Sequence, residues 1–256
     1  MQLMLLLLLY GFLRRLSMDK QRKEEKVYRV FEEIAKGYDR ANFRISLGLQ
    51  KSWKRMLIAR VVHDTPTRGK VLDVCCGTGD IAWQVAGRRR DLAVTGIDFS
   101  PAMLKVAVKK IRPGQKNLRF LRGDAMNLPF KDETFDAATI SFGLRNTADF
   151  KQVLKEMLRV VKPGGTIYCL DSVVPDCKLV LPFYQLYFRF LMPILGGGLR
   201  HKKNYDWLYQ STKHFLRRRE LEKLFLKLNM KRVRTKSRMF GACVLVLGTK
   251  RQPRID

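Results

Sequence analysis

The chain has few of the residues that build metal centres and disulfide frameworks. It contains three histidines in 256 residues, and its five cysteines are an odd number. They also lack the paired spacing of a zinc site. This scarcity argues against a structural metal and against a disulfide-stapled fold, and a reducing compartment fits best. Cys75, Cys169 and Cys243 fall in predicted strands, where we expect them to behave as small buried hydrophobic residues.

A long apolar segment is also lacking. The leucine run Leu5–Leu9 belongs to a stretch shorter than the ~20 residues of a membrane-spanning helix. It has neither the basic flank nor the small-residue cleavage site of a secretory signal. We interpret residues 1–17 as an apolar extension, and we favour translation upstream of a start at Met18 over a short membrane-surface anchor.

Acidic residues are scarce beside basic ones. The chain has 51 Lys and Arg against 23 Asp and Glu, a formal net charge of +28. The excess is densest in residues 217–219 and 231–238. Such a balance is evidence about partners rather than about fold. Anionic lipids would be attracted at ~1 kcal/mol per basic residue near the surface, and the phosphates of nucleic acids are the competing explanation.

The most informative segment is KVLDVCCGTGD, from Lys70 to Asp80. Its apolar run predicts a buried strand that ends at Asp73 and Val74. The loop Gly77-Thr78-Gly79 follows, and glycines there allow backbone N–H groups to approach a ligand closely. A buried strand, a carboxylate and a glycine-rich loop together indicate a site for a nucleotide-like cofactor.

A nicotinamide cofactor is one interpretation of this loop. Gly77–Ala82 fits the pattern G-x-G-x-x-G/A, and Asp98 follows at about the ~20-residue distance of a ribose-binding acid. The pair Tyr209 and Lys213 has the spacing of a dehydrogenase motif. We interpret that pair as one turn of an exposed helix, so the nicotinamide interpretation is weak.

Three carboxylates follow three successive predicted strands, namely Asp73, Asp98 and Asp124. Parallel strands bring such residues together at the carboxyl edge of a sheet, where open α/β folds bind ligands. Further elements are predicted as strands at Ala93–Phe99, Leu118–Arg122, Phe135–Phe142 and Thr166–Asp171, helices at Pro101–Lys110 and Asp149–Val161, and a tight turn at Lys162–Gly165.

These segments resemble class I S-adenosylmethionine-dependent methyltransferases. The resemblance implies a Rossmann-like α/β fold with a seven-stranded, mostly parallel sheet, one antiparallel strand and helices on both faces. It also implies the cofactor contacts: Asp73 and the loop Gly77, Thr78 and Gly79 at the methionine part, Asp98 at the ribose hydroxyls, Asp124 and Ala125 at the adenine, and Ser141 near the sulfonium. Cys75 departs from the family, which usually has glycine there.

A closer resemblance is to the quinone C-methyltransferases, which methylate demethylmenaquinol and related polyprenyl quinols. It covers about Lys23 to Lys250, and its menaquinone branch is the most similar. The segments that carry it are Tyr38–Asn42, Ser46–Gly48, Trp53-Lys54, Ser141–Asn146, Arg159–Gly165, Tyr187–Leu195 and Tyr205–Ser211. Departures at Ala41, Gln50, Asp171 and Phe215-Leu216 concern the substrate pocket more than the cofactor site.

The resemblance implies methylation of a ring carbon of demethylmenaquinol, with a polyprenyl benzoquinol as the alternative acceptor. An RNA methyltransferase is a less favoured alternative, because Ser141-Phe142-Gly143 replaces the Asn-Pro-Pro-aromatic motif that grips an amino group. A non-catalytic lipid-binding protein is disfavoured because the strand-end carboxylates are intact. Arg145 is our candidate for stabilising a developing phenolate, with a salt bridge to Asp149 as its alternative role.

Asp39 and Tyr38 are the candidates for proton handling, with a turn cap as the alternative role of Asp39. The predicted organisation is an N-terminal helical cap (18–69), a cofactor-binding core (70–173), a helical substrate-side insertion (174–218) and a C-terminal helix and hairpin (219–256). We expect a polyprenyl quinol substrate, an anionic membrane surface as partner and no nucleic acid. The corresponding location is the cytoplasm, peripheral at the inner face of the membrane.

Overall fold

A computed structural model describes residues 21–187, 210–213 and 215–252. Residues 21–34 are helical and are called α1. The elements that follow are α2 (Tyr38–Ile45), α3 (Leu49–Asp64), β1 (Lys70–Val74), α4 (Asp80–Arg88), β2 (Ala93–Asp98), α5 (Pro101–Val108), β3 (Leu118–Arg122), β4 (Phe135–Ser141), α6 (Phe150–Val160), β5 (Val161–Ser172), α7 (Leu181–Leu186), α8 (Arg218–Lys227), β6 (Lys231–Arg238) and β7 (Cys243–Thr249).

The seven strands form one sheet in the order β3-β2-β1-β4-β5-β7-β6. β1 pairs in parallel with β2 on one side and with β4 on the other. β7 runs antiparallel to both β5 and β6, so the predicted single antiparallel strand is confirmed. The chain reverses its direction of progress across the sheet between β1 and β4, and such a switch point opens a crevice at the carboxyl ends of the strands.

Alternating side chains of the strands pack into two hydrophobic cores, one on each face of the sheet. In β5, Ile167 and Cys169 pack into the core that α6 and α8 cover. Their neighbours Tyr168 and Leu170 pack into the core that α3 and α4 cover. This alternation follows from the two-residue period of a strand, and it produces three layers with helices on both faces.

Two helices that follow strands at the carboxyl edge begin with side-chain caps. Ser100 caps α5, where its side chain accepts a hydrogen bond from the Met103 amide and Pro101 occupies the first turn. Asp149 caps α6 by accepting from the amides of Lys151 and Gln152.

The predicted tight turn at Lys162–Gly165 is wrong. β5 begins at Val161, which pairs with Phe135, and the next pair in the ladder joins Thr166 to Ala137. The intervening residues of β5 therefore bulge from a strand that is already paired. Helix α5 also ends at Val108, earlier than the predicted Lys110.

Several predicted features lie outside the described residues. These are the apolar extension at 1–17, most of the segment Tyr187–Leu195 and residues 205–209. Among the helices that are described, none has the length and apolar character to cross a membrane.

Candidate active site

A cavity of about 270 Å³ lies at the carboxyl edge of the sheet, and we call it the main cavity. Its wall comprises residues of the strand-end loops and of α1 and α2. A smaller cavity adjoins it and shares Tyr38, Cys75, Gly77, Ser141 and Phe142 with it. The smaller cavity is also lined by Gln50, Lys54, Asp73, Cys76, Thr78, Asp80 and Ile81.

The glycine-rich loop after β1 lies between the two cavities. Cys75 has a φ of +52°, a left-handed conformation that glycine adopts without steric cost, which accounts for the usual glycine at this position. Gly77 has a φ of +54°, and a Cβ added there would meet no atom within 4 Å. The backbone of Gly77 therefore borders open space, as a close approach to a ligand requires.

Gly79 serves a different purpose from Gly77. A Cβ added at Gly79 would lie 2.5 Å from the Phe120 ring and 2.9 Å from the Ala107 Cβ. The residue precedes α4 with a φ of +73°. Its missing side chain thus allows α4 to pack against β3 and α5, and neither of the two cavities includes Gly79 among its lining residues.

Asp98 lies at the end of β2, is 6% exposed and lines the main cavity. Its Oδ2 accepts a hydrogen bond from the Gly77 amide at 2.8 Å, and its Oδ1 accepts one from the Ser100 amide at 3.0 Å. Burial raises the pKa of Asp98 despite these hydrogen bonds. Each carboxylate oxygen keeps a lone pair that can accept from a hydroxyl group.

Asp73 is almost fully buried in β1 beneath the smaller cavity. Its Oδ1 accepts from the Thr139 hydroxyl at 2.7 Å and its Oδ2 from the Ala82 amide at 3.2 Å. Burial raises the pKa of Asp73 to about 7, although these hydrogen bonds and the charge of Lys54 oppose the shift. Asp73 therefore titrates near neutral pH in the folded protein.

Asp124 and Ala125 line the main cavity on the β3 side. The carboxylate of Asp124 accepts a hydrogen bond from the Met126 amide at 2.8 Å, which closes a short turn around Ala125. Ile97, Phe99 and Met126 supply apolar surface beside this turn.

Two polar atoms of the main cavity are buried without a hydrogen-bond partner in the described residues. They are the hydroxyl oxygen of Ser141 and the Oδ1 of Asn146. The Nδ2 of Asn146 donates to the Phe142 carbonyl at 3.2 Å, which fixes the direction of the amide. Since such atoms are costly to bury unpaired, a polar ligand group is the natural partner for both.

Asn146 is a candidate site residue that the sequence analysis did not single out. It stands beside Arg145 in the segment Ser141–Asn146 that carries the family resemblance, so the signal was present. The sequence could not show which of the two side chains faces the cavity.

Tyr38 and Asp39 begin α2, which lies across the carboxyl edge of the sheet. Tyr38 lines both cavities. The carboxylate of Asp39 accepts from the Thr78 hydroxyl at 2.7 Å and from Lys110 Nζ at 2.8 Å. These bonds join α2 to the glycine-rich loop and to the segment after α5.

Arg145 pairs with a different carboxylate from the Asp149 that the sequence offered as its alternative partner. Its side chain is 7% exposed and forms an ion pair with Asp171 of β5, which is fully buried. It also donates to the Phe142 carbonyl at 3.1 Å. Asp149, the expected alternative partner, caps α6. The Arg145 Nε is buried without a partner in the described residues, and Arg145 does not line the main cavity.

The described residues fit S-adenosylmethionine. Gly77 with its open space, Asp98 with its unused lone pairs and Ser141 with its unpaired hydroxyl all line the main cavity, and Gly77 and Ser141 also line the smaller one. Asp98 would hold the ribose hydroxyls, the turn at Asp124 and Ala125 the adenine, and the smaller cavity with Asp73 and Thr78 the methionine part.

Solved structures share this architecture. The methyltransferase bound to the Trm112 activator of Haloferax volcanii superposes with a TM-score of 0.61 at 17% identity, covering 87% of this chain and 98% of that one. Haemonchus contortus phosphoethanolamine N-methyltransferase 2, solved with S-adenosyl-L-methionine, gives a TM-score of 0.59 at 15% identity, covering 77% of this chain and 52% of that one. The fold is that of the class I S-adenosylmethionine-dependent methyltransferases.

The chain belongs to the ubiE/COQ5 methyltransferase family, whose model matches residues 19–250. It is 43% identical over 238 residues to the demethylmenaquinone methyltransferase of Staphylococcus aureus strain MRSA252, which covers 91% of this chain and 96% of that protein. The predicted family, fold class and cofactor are confirmed.

Proposed function

We propose that this methyltransferase converts demethylmenaquinol to menaquinol. The observation that carries the proposal is the 43% identity, over nearly the whole of both chains, to a relative named demethylmenaquinone methyltransferase. The strand-end carboxylates and the cavity of about 270 Å³ agree with a methyl transfer that takes place at the carboxyl edge of the sheet.

The bound cofactor supplies an electrophilic methyl group on a sulfonium. In the proposed reaction a bond forms between this methyl and a ring carbon of the quinol, and the sulfur–methyl bond breaks to leave a neutral thioether. The ring carbon then loses its proton, which restores the aromatic ring. Because the electrophile is already strong, the protein contributes mainly by aligning the two reactants and excluding water.

Ser141 and Asn146 are suited to orient the reactants, because each has an unpaired buried atom in the main cavity. Tyr38 lies at the junction of the two cavities, and we propose that its hydroxyl takes part in proton transfer from the quinol. Asp39 is proposed to assist by holding α2 against Thr78 and Lys110, since its carboxylate bonds to both.

Arg145 is proposed to stabilise the developing phenolate with its buried positive charge. Its unpartnered Nε and its position next to Asn146 support this role. The pairing with Asp171 supports a second contribution, in which Arg145 holds the turn that carries Asn146. Arg145→Ala is expected to lower the rate of methyl transfer and to leave affinity for S-adenosylhomocysteine near that of the wild type. An unchanged rate would exclude both contributions.

We further propose that the enzyme works at the inner, cytoplasmic face of an anionic membrane. Large apolar side chains are exposed on two neighbouring elements: Phe43 and Leu47 at the end of α2, and Leu179 and Phe183 around α7. A hydrogen bond from the Tyr187 hydroxyl to the Ile45 carbonyl joins these elements. Arg40, Arg44 and Lys178 are exposed beside them, which suits anionic headgroups.

Vesicle co-sedimentation tests the membrane proposal. The double variant Leu179→Ser/Phe183→Ser should lose binding to vesicles that contain phosphatidylglycerol, and the wild type should bind neutral vesicles weakly. Leu226→Ser, which removes an exposed leucine from α8, is the matched control. Equal binding by the double variant and the control would refute this surface.

The function is tested by methyl transfer from labelled S-adenosylmethionine to reduced demethylmenaquinone in detergent. A polyprenyl benzoquinol and total tRNA serve as parallel acceptors. We expect labelled menaquinol as the main product. Preferential labelling of the benzoquinol would show that the acceptor is a benzoquinol rather than a naphthoquinol. Labelling of tRNA alone would refute quinol methylation.

A further inference from the structure

We propose that Lys54 binds the carboxylate of the methionine part of S-adenosylmethionine. The inference rests on the chain's use of this cofactor and is independent of which acceptor is methylated. It concerns a residue of the N-terminal helical cap, outside the segments to which cofactor contacts were assigned above.

The position of Lys54 is fixed by its neighbours. It lies on α3, its side chain is 13% exposed, and its Nζ is 2.9 Å from the Asp80 Oδ2 in the first turn of α4. The adjacent residue, Trp53, packs against Phe142 with a ring-centroid distance of 6.3 Å. Helix α3 is thereby held against the smaller cavity, and Lys54 is one of the residues that line it.

A carboxylate bound in the smaller cavity would need a cation beside it, because the cavity wall carries other carboxyl groups. A methionine carboxylate bound there lies near the carboxyl groups of Asp73 and Asp80, which also line the cavity. Among the lining residues that the structure describes, Lys54 is the one Lys or Arg. Its ammonium has three donor hydrogens, and the bond to Asp80 uses one of them.

Other nearby cations are absent from the lining of the smaller cavity and have contacts of their own. Lys110 donates to Asp39, Arg145 pairs with Asp171, and Lys51 lies over the ring of Phe43 at 4.6 Å from its centroid. Asp80 holds the lysine in place through this bond: burial opposes the ionisation of Asp80, yet the charge and hydrogen bond of Lys54 bring the pKa of Asp80 below its ordinary value.

Calorimetric binding of two ligands tests the inference. S-Adenosylhomocysteine carries the amino-acid group, and 5′-methylthioadenosine has the same nucleoside and thioether without it. Lys54→Met should weaken binding of S-adenosylhomocysteine by roughly tenfold to a hundredfold, the range for a lost hydrogen bond between charged groups. Binding of 5′-methylthioadenosine should stay within about twofold of the wild type, because that ligand has no carboxylate for a charge-assisted bond. Lys54→Arg should retain most of the affinity.

Two controls separate ligand binding from a purely structural role. Lys51→Met removes an exposed lysine from the same helix and should leave both affinities unchanged. Asp80→Asn removes the partner of Lys54 but leaves the ammonium available, so it should not weaken S-adenosylhomocysteine. The inference is overturned if Lys54→Met weakens both ligands equally, if it weakens neither, or if Asp80→Asn reproduces its loss.

This experiment uses no quinol, so a negative result for Lys54 leaves the proposed reaction intact. Conversely, methylation of tRNA in place of a quinol would leave the Lys54 inference standing. Failure of the wild type to bind S-adenosylhomocysteine would refute both.

Discussion

The two glycines of the loop after β1 should respond in opposite ways to the same substitution. Gly77 and Gly79 stand two residues apart and both have positive φ angles, of +54° and +73°. Their surroundings differ, because a Cβ at Gly77 enters open space whereas a Cβ at Gly79 meets Phe120 and Ala107. Gly77→Ala should therefore impair ligand binding, and Gly79→Ala should impair stability.

The magnitudes follow from the geometry. A left-handed conformation costs an alanine about 1–2 kcal/mol, and the reduced freedom of the unfolded chain returns about 0.4–1 kcal/mol. Gly77→Ala should thus lower the free energy of unfolding by about 0–1.6 kcal/mol. At Gly79 the contacts of 2.5 and 2.9 Å add an overpacking cost of about 1–3 kcal/mol, for a total of about 1–5 kcal/mol.

Ligand affinity should be affected in the reverse order, more by Gly77→Ala than by Gly79→Ala. The new methyl group of Gly77→Ala occupies space that the ligand needs, and we expect S-adenosylhomocysteine to bind roughly tenfold more weakly or worse, which corresponds to about 1.4 kcal/mol or more. Gly79→Ala, measured at a temperature where it is folded, should bind within a few-fold of the wild type.

Urea unfolding and calorimetry, performed on both variants and the wild type, check these expectations. Equal unfolding midpoints for the two variants would show that Phe120 and Ala107 can move away from the new methyl group without a loss of stability. Wild-type affinity in Gly77→Ala would show that the loop does not approach the ligand. Either result would refute the division of roles between the glycines.

Three further predictions concern buried polar groups. Arg145→Met should lower the free energy of unfolding by about 3–5 kcal/mol, because it leaves Asp171 charged and fully buried. The double variant Arg145→Met/Asp171→Leu should recover most of the lost stability in urea unfolding. A double variant as unstable as Arg145→Met would contradict the ion-pair explanation. Folding raises the pKa of Asp73 from 3.8 to about 7. Between these two pH values the folded state holds a proton that the unfolded state has released. The free energy of unfolding of the wild type relative to Asp73→Asn should therefore fall as the pH rises from about 4 to about 7, and it should level off above that range. A pH-independent difference in unfolding free energy would contradict that shift. Asn146→Ala should lower kcat for quinol methylation and leave calorimetric affinity for S-adenosylhomocysteine unchanged, and a wild-type kcat would remove Asn146 from the reaction.

The sequence by itself determined the local elements and their order. The apolar run before the glycine-rich loop specified β1, and Ser100 with Pro101 specified the start of α5. Carboxylates at successive strand ends located the cofactor edge, because the carboxyl ends of parallel strands share one side of a sheet. The predicted C-terminal hairpin correctly indicated the antiparallel pairing of β6 and β7. Each of these features depends on residues close together in the chain.

The tertiary structure decided which distant side chains meet. Arg145 and Asp171 pair because β4 and β5 are neighbours, although 26 residues separate them. Lys54 reaches Asp80 because α3 and α4 cover the same face of the sheet. Likewise, whether Arg145 or Asn146 faces the main cavity depends on the backbone that follows Phe142, whose φ is +58°. Residue type and spacing set local conformation, whereas ion pairs and cavity walls arise from strand order and helix packing, which bring together residues far apart in the chain.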